Sequence, residues 1–143
     1  MVLRLRRTLP AVPADVYRAL TDPAALARWW GPHGFTVTGI DFRPETGRGY
    51  RIAMRPPEGD TFHLAGEFRE VEPPHRLAFT FRWEPPDPDD RETLAELALE
   101  ARGDATELAL TQHGFATEER RALHEDGWSQ SLERLAGLLA RPD

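Results

Sequence analysis

Five histidines, two serines and a glutamate set among strand-like residues are the side chains of this 143-residue chain best suited to proton transfer, nucleophilic attack or metal binding. His33, His63, His75, His113 and His124 fall in five different stretches and show no His-x-x-x-His or comparable spacing, so no metal site is expected. His75 follows a Pro-Pro turn and His124 falls in the first turns of a helix, and both are expected in solvent. His63 and His113 could approach an interior, although strand parity turns His113 outward. Glu67, between Gly66 and Phe68, is the carboxylate best placed for a general base, set against the plainer expectation of a solvent-facing strand position. Ser129 and Ser131 are the only serines and neither lies in a Gly-x-Ser-x-Gly turn, which removes the hydrolase elbow. Cysteine is absent, all 18 basic residues are arginine, and no Gly-x-Gly-x-x-Gly or Walker-type loop occurs. Thiolate, Schiff-base and phosphate-cradling chemistry are thereby closed, and no catalytic residue, metal or cofactor is assigned.

The elements that would position a site follow from periodicity. Val2 to Leu9 alternates apolar and basic residues and predicts a first strand with one wet face. Pro13 opens a short helix carrying Val16, Tyr17 and Leu20, and Asp22-Pro23 restarts a second carrying Leu26, Trp29 and Trp30 up to Gly31-Pro32. Strands are predicted over Phe35–Phe42, around Tyr50–Arg55, and over Thr61–Val71, Leu77–Trp83, Thr93–Ala101 and Thr106–His113, the last two joined at Arg102-Gly103-Asp104. The acidic, proline-rich stretch Glu84–Asp90 reads as a flexible exposed loop. From Thr117, a good N-cap, a helix runs to Ala140 with Trp128, Leu132, Leu135 and Leu139 on one face. Gly127 sits within it at a cost of roughly 1 kcal/mol relative to Ala, which suggests room against the helix.

This is one domain, residues 1–143, of ordinary soluble composition: 40% hydrophobic, 29% charged and a net charge of −6 with the arginines scattered. Nucleic acid and anionic membranes are therefore disfavoured as partners. The absence of a secretion-type leader or a long apolar run leads to an expectation of a cytoplasmic protein.

Five segments in order carry a resemblance: Thr21-Asp22-Pro23 with Trp29-Trp30-Gly31-Pro32 and Gly34-Phe35-Thr36; Asp41-Phe42-Arg43-Pro44 running into Gly49-Tyr50-Arg51; Glu70 to Thr80; Thr106 to Phe115; and Gly127-Trp128 with Leu132 and Leu135. Together they resemble the Hsp90-ATPase-activator-homologue-1-like (AHSA1-like) branch of the START/Bet v 1-like SRPBCC superfamily, over about Pro13 to Leu139. The resemblance implies an α+β helix-grip fold, in which a curved antiparallel sheet of six to seven strands wraps around the long C-terminal helix, with a cavity between. The co-chaperone that names the branch has an additional N-terminal Hsp90-binding domain that these residues do not supply, so Hsp90 is not the expected partner.

Strand parity turns Tyr50, Ile52, Met54, Phe79, Phe81, Trp83, Leu97, Leu99, Leu108 and Leu110 toward the helix face bearing Trp128, Leu132 and Leu135. With Trp29, Trp30 and Phe35 at the mouth and Gln112 as an inward polar anchor, these are the expected ligand-binding residues. A solid core would use many of the same side chains. The expected function is binding of a hydrophobic small molecule in that cavity, as carrier or sensor, with binding favoured over catalysis. A cyclase- or isomerase-type enzyme using acid–base groups there, and a co-chaperone-like interaction module, are the alternatives. A second copy of the chain is a further candidate partner.

Overall fold

A computed structural model describes residues 1–140. The elements are β1 (Val2–Leu9), α1 (Pro13–Thr21), α2 (Pro23–Trp29), β2 (Thr36–Asp41), β3 (Gly49–Arg55), β4 (Phe62–Glu72), β5 (Arg76–Glu84), β6 (Thr93–Arg102), β7 (Ala105–His113) and α3 (Glu118–Ala140). The strands form one antiparallel sheet in the order β1-β7-β6-β5-β4-β3-β2. Because β1 pairs with β7 across the length of the chain, the two short helices lie between the edges of a sheet that curls around α3. This is the helix-grip arrangement that the resemblance implies, and its element order agrees with the one read from periodicity.

Alternation decides which face each strand shows. Along β6, Thr93, Ala95, Leu97 and Leu99 are buried while the residues between them are partly exposed, and Leu108, Leu110 and Gln112 repeat the pattern on β7. The register sets Leu97 opposite Leu110 and Leu99 opposite Leu108, so the inward residues form one continuous apolar layer. Thr117 caps α3 through its side chain, accepting from Arg120 N at 3.1 Å, and Glu118 and Glu119 lie in the first turn where the helix dipole favours them. Asp22 precedes α2 with the backbone of an N-cap, but its side chain makes no capping bond.

Two close approaches set the curvature near β5. The Tyr50 hydroxyl donates to Thr80 O at 2.6 Å, and the Thr80 hydroxyl accepts from Glu67 N at 2.8 Å. Both need the bare backbone of Gly66: a Cβ there would overlap the Thr80 carbonyl and stand 2.8 Å from the Tyr50 ring. Beside them Phe42, Tyr50, Phe68 and Phe79 interlock edge to face, with ring centroids 4.9 Å apart for Phe42–Phe68 and 5.5 Å for Tyr50–Phe79. This part of the concave face is filled solidly. The remaining part, under the first half of α3, is not.

Candidate ligand cavity

The first half of α3 presents Arg120, Leu123, His124, Gly127, Trp128 and Ser131, whose spacing of three, one, three, one and three keeps them on one face. Opposite them stand Met54 from β3, Phe62 from β4, and Phe81 and Trp83 from β5. Trp30, Gly31, Pro32 and Phe35 close one flank, and Pro85, Asp87 and Asp90 of the β5–β6 loop border the other. The cavity measures about 560 Å³, inside the roughly 300–1,000 Å³ typical of small-molecule sites. It opens to solvent beside Leu123, which is 53% exposed.

Each wall is pinned by its own contacts. The flank after α2 is tied to the helix by Arg134, whose guanidinium donates to Arg28 O at 3.1 Å, Trp30 O at 3.0 Å and Gly31 O at 2.9 Å. These are carbonyls at or just beyond the end of α2, which a cation suits well. Partial burial pushes the Arg134 pKa down from its usual value. His33 N donates to Gln130 Oε1 at 3.0 Å, adding a second tie from the same flank. Trp128 is held by its indole N–H, which donates to Gln112 Oε1 at 2.8 Å, while Gln112 Nε2 donates to the Thr93 hydroxyl at 2.8 Å. Gln112 is thus a fully buried inward polar group whose partners are protein.

His124 is likewise fixed. The Trp83 indole can only donate, so His124 Nε2, 3.0 Å away, is the acceptor and the ring proton sits on Nδ1, directed at Arg120 O 2.9 Å away. Desolvation pushes its pKa below the usual imidazole value, against the weaker opposing effect of the Arg120 carbonyl, so the ring is neutral at pH 7. This corrects the expectation that His124 is solvated: it is a wall of the cavity, packed on Phe81 and Phe115 at centroid distances of 5.6 and 4.8 Å. At the mouth, Arg120 meets Asp87 at 3.3 Å and Asp90 at 3.7 Å, and Asp87 N donates to the Asp90 carboxylate at 2.7 Å. The loop read as flexible and exposed is therefore anchored to α3 at Asp90, whose side chain is only 8% exposed.

Ser131 differs from these groups. It is 5% exposed and lines the cavity, and among the described residues its hydroxyl has no hydrogen-bond partner. Among the described residues no side-chain oxygen or nitrogen shut off from solvent lacks a partner, so the Ser131 hydroxyl is within reach of solvent.

Of the seventeen residues expected at the site, the structure brings Trp30, Phe35, Met54, Phe81, Trp83 and Trp128 together on the cavity wall. Trp29, Tyr50, Ile52, Phe79, Leu97, Leu99, Leu108, Leu110, Gln112, Leu132 and Leu135 point inward but are placed in packed core beyond it. Trp29 shows why: its indole N–H is spent on Ala19 O at 2.8 Å, locking α2 to α1. Glu67 faces solvent on the convex side, 3.6 Å from Arg69. Neither His63 nor His113, whose ring meets Glu96, lines the cavity. Sequence reasoning missed Phe62, Leu123, His124, Arg120 and Ser131. The signal for four of them was the helical spacing from Trp128 back to Arg120 and forward to Ser131. Among the described residues no three His, Cys, Asp or Glu side chains converge as a metal would require, and no helix is long and apolar enough to cross a membrane.

Comparison with known proteins supplies the lineage. The family model described as activator of Hsp90 ATPase homolog 1-like protein matches residues 10–140. Among solved structures, a protein of Chromobacterium violaceum is 29% identical with a TM-score of 0.90, covering 99% of this chain and 98% of that one. An AHSA1 protein of Silicibacter pomeroyi is 31% identical with a TM-score of 0.86, covering 98% of each. A Rhodobacter sphaeroides protein is 33% identical with a TM-score of 0.82, covering 97% of this chain and 92% of its own. No curated protein matches significantly.

Proposed function

Because the chain belongs to the activator of Hsp90 ATPase homolog 1-like family, whose helix-grip fold commonly binds ligands, we propose that it reversibly binds an apolar small molecule between β3–β5 and α3, as a carrier or sensor. The observation that carries this reading is the cavity of about 560 Å³ walled by Trp30, Phe35, Phe62, Phe81, Trp83 and Trp128. These rings pack edge to face with one another, Trp30–Trp128 at 5.3 Å and Phe81–Trp83 at 5.2 Å between centroids, much as the Phe42–Phe68–Phe79 cluster does in the other half of the same sheet. Each also lines the hollow, and together they offer a guest an apolar surface. The neutral His124 and the Ser131 hydroxyl fit a site whose inner walls are mostly apolar, with charged groups at its rim.

Acid–base catalysis in the same cavity finds less support, because both ring nitrogens of His124 are committed to Trp83 and Arg120. A co-chaperone-like contact with another protein would use the outer surface, and nothing in the cavity favours it. Native mass spectrometry of the purified protein, joined to a thermal-shift screen of sterols, fatty acids and aromatic polyketides, tests the binding reading. At least one class should raise the melting midpoint by several degrees at concentrations well above its dissociation constant. No co-purified molecule together with no shift from any class would overturn it.

A further inference from the structure

The charges around the cavity are unequal. Two carboxylates, Asp87 and Asp90, and one guanidinium, Arg120, border its mouth. The guanidinium is already engaged by both carboxylates, through one nitrogen at 3.3 and 3.7 Å. Among the described residues no other cation lines the cavity: the remaining polar lining groups are His124, held neutral with its Nε2 lone pair occupied by Trp83, and the Ser131 hydroxyl. An anionic head group arriving here must compete with two carboxylates for Arg120 while the chain as a whole carries a net charge of −6. A cationic head group meets those carboxylates as partners. The lining also includes Trp83 and Trp30, indole rings whose quadrupoles attract positive charge.

The inner part of the site adds one polar group. Ser131 lies eleven residues beyond Arg120 on the same helix, about 16 Å along its axis at 1.5 Å per residue. It is largely buried, lines the hollow, and its hydroxyl has no protein partner among the described residues. The cavity is therefore polarised along its length: an acidic rim, an aromatic middle and one hydroxyl deep in the wall.

We propose that the cavity selects an aromatic ligand with a cationic or neutral head group over the same ring system bearing a carboxylate, the head seated at the Asp87–Asp90 rim. The proposal rests on the small-molecule reading of this cavity and adds the sign of the charge it accepts. Three probes that share one ring test it: 2-naphthylmethylamine, 2-naphthalenemethanol and 2-naphthoate, titrated at low salt against the full chain by calorimetry. The amine should bind about tenfold or more tighter than the carboxylate, with the alcohol between. Asp87→Asn, at a side chain 64% exposed, should narrow the gap between amine and carboxylate several-fold. Asp90→Asn should narrow it further. A carboxylate that binds as tightly as the amine, or a gap untouched by both substitutions, would overturn the charge preference while leaving ligand binding intact. Failure of all three probes to bind would instead strike at the cavity reading itself, and the charge preference would fall with it.

Discussion

At the scale of single residues, His124 shows how a polar group becomes part of an apolar wall. It sits four residues before Trp128, so helical geometry puts both on one face, and the Trp83 indole fixes its tautomer from the sheet side. The folded protein holds this ring below its ordinary pKa of 6.5, so near and below that pH the unfolded chain binds a proton more readily than the folded one. Its contribution to stability is fully present above 6.5 and is lost as the pH falls through that value toward the folded pKa. The acidic residues with lowered pKa, such as Glu84 and Glu118, act only below the ordinary carboxylate value of 4.5 and do not confuse this window. Chemical denaturation from about pH 8 to about pH 5.5 should therefore show wild-type stability declining below neutrality more steeply than that of His124→Phe. Equal slopes in the two proteins would remove His124 from the account. The position was overlooked in the sequence because only its apolar neighbours were counted toward the helix face. A histidine early in a helix reads as solvated until the strand opposite it is known.

At the scale of elements, alternation and turn chemistry located nearly everything. The first strand, Val2–Leu9, is bounded as its alternation predicts, and α3 begins one residue after its Thr117 cap. Boundaries were legible because proline, glycine and capping residues act locally. Depth was not. Phe79 and Phe81 share parity on β5, yet Phe79 packs on Phe42 and Tyr50 away from the hollow while Phe81 packs on Trp83 and Trp128 and borders it. Parity says which face a ring takes, and only the convergence of β3, β4, β5, α2 and α3 says what it meets there. The link between Asp90 and Arg120 was hidden for the same reason, since it joins an acidic loop to a helix far along the chain. One element-scale prediction follows from the close passage of β4 over β5. Gly66→Ala would force apart Thr80 and Tyr50 and should destabilise the fold by about 1–3 kcal/mol, read as a lower denaturation midpoint. A variant as stable as wild type would mean that this approach is looser than described.

At the scale of the molecule, one sheet does two jobs. Its aromatic cluster around Phe42, Tyr50, Phe68 and Phe79 and its leucine layer on β6 and β7 supply solid packing, which lets the region beneath the first half of α3 remain hollow. Gly127 belongs to that division. A Cβ placed there would meet only Pro32, at 3.9 Å, so the helix tolerates a side chain at this point but leaves the space empty. Gly127→Leu should consequently fold, with a gain of up to about 1 kcal/mol in helix propensity, while filling the hollow from above. The decisive measurement is a fluorescence titration of N-phenyl-1-naphthylamine, a neutral apolar dye, into wild type and Gly127→Leu. Wild type should bind one dye saturably and quench its cavity tryptophans, with affinity lowered at least about tenfold in Gly127→Leu. No saturable binding by wild type, or equal binding by a folded Gly127→Leu, would contradict a cavity kept open for a guest.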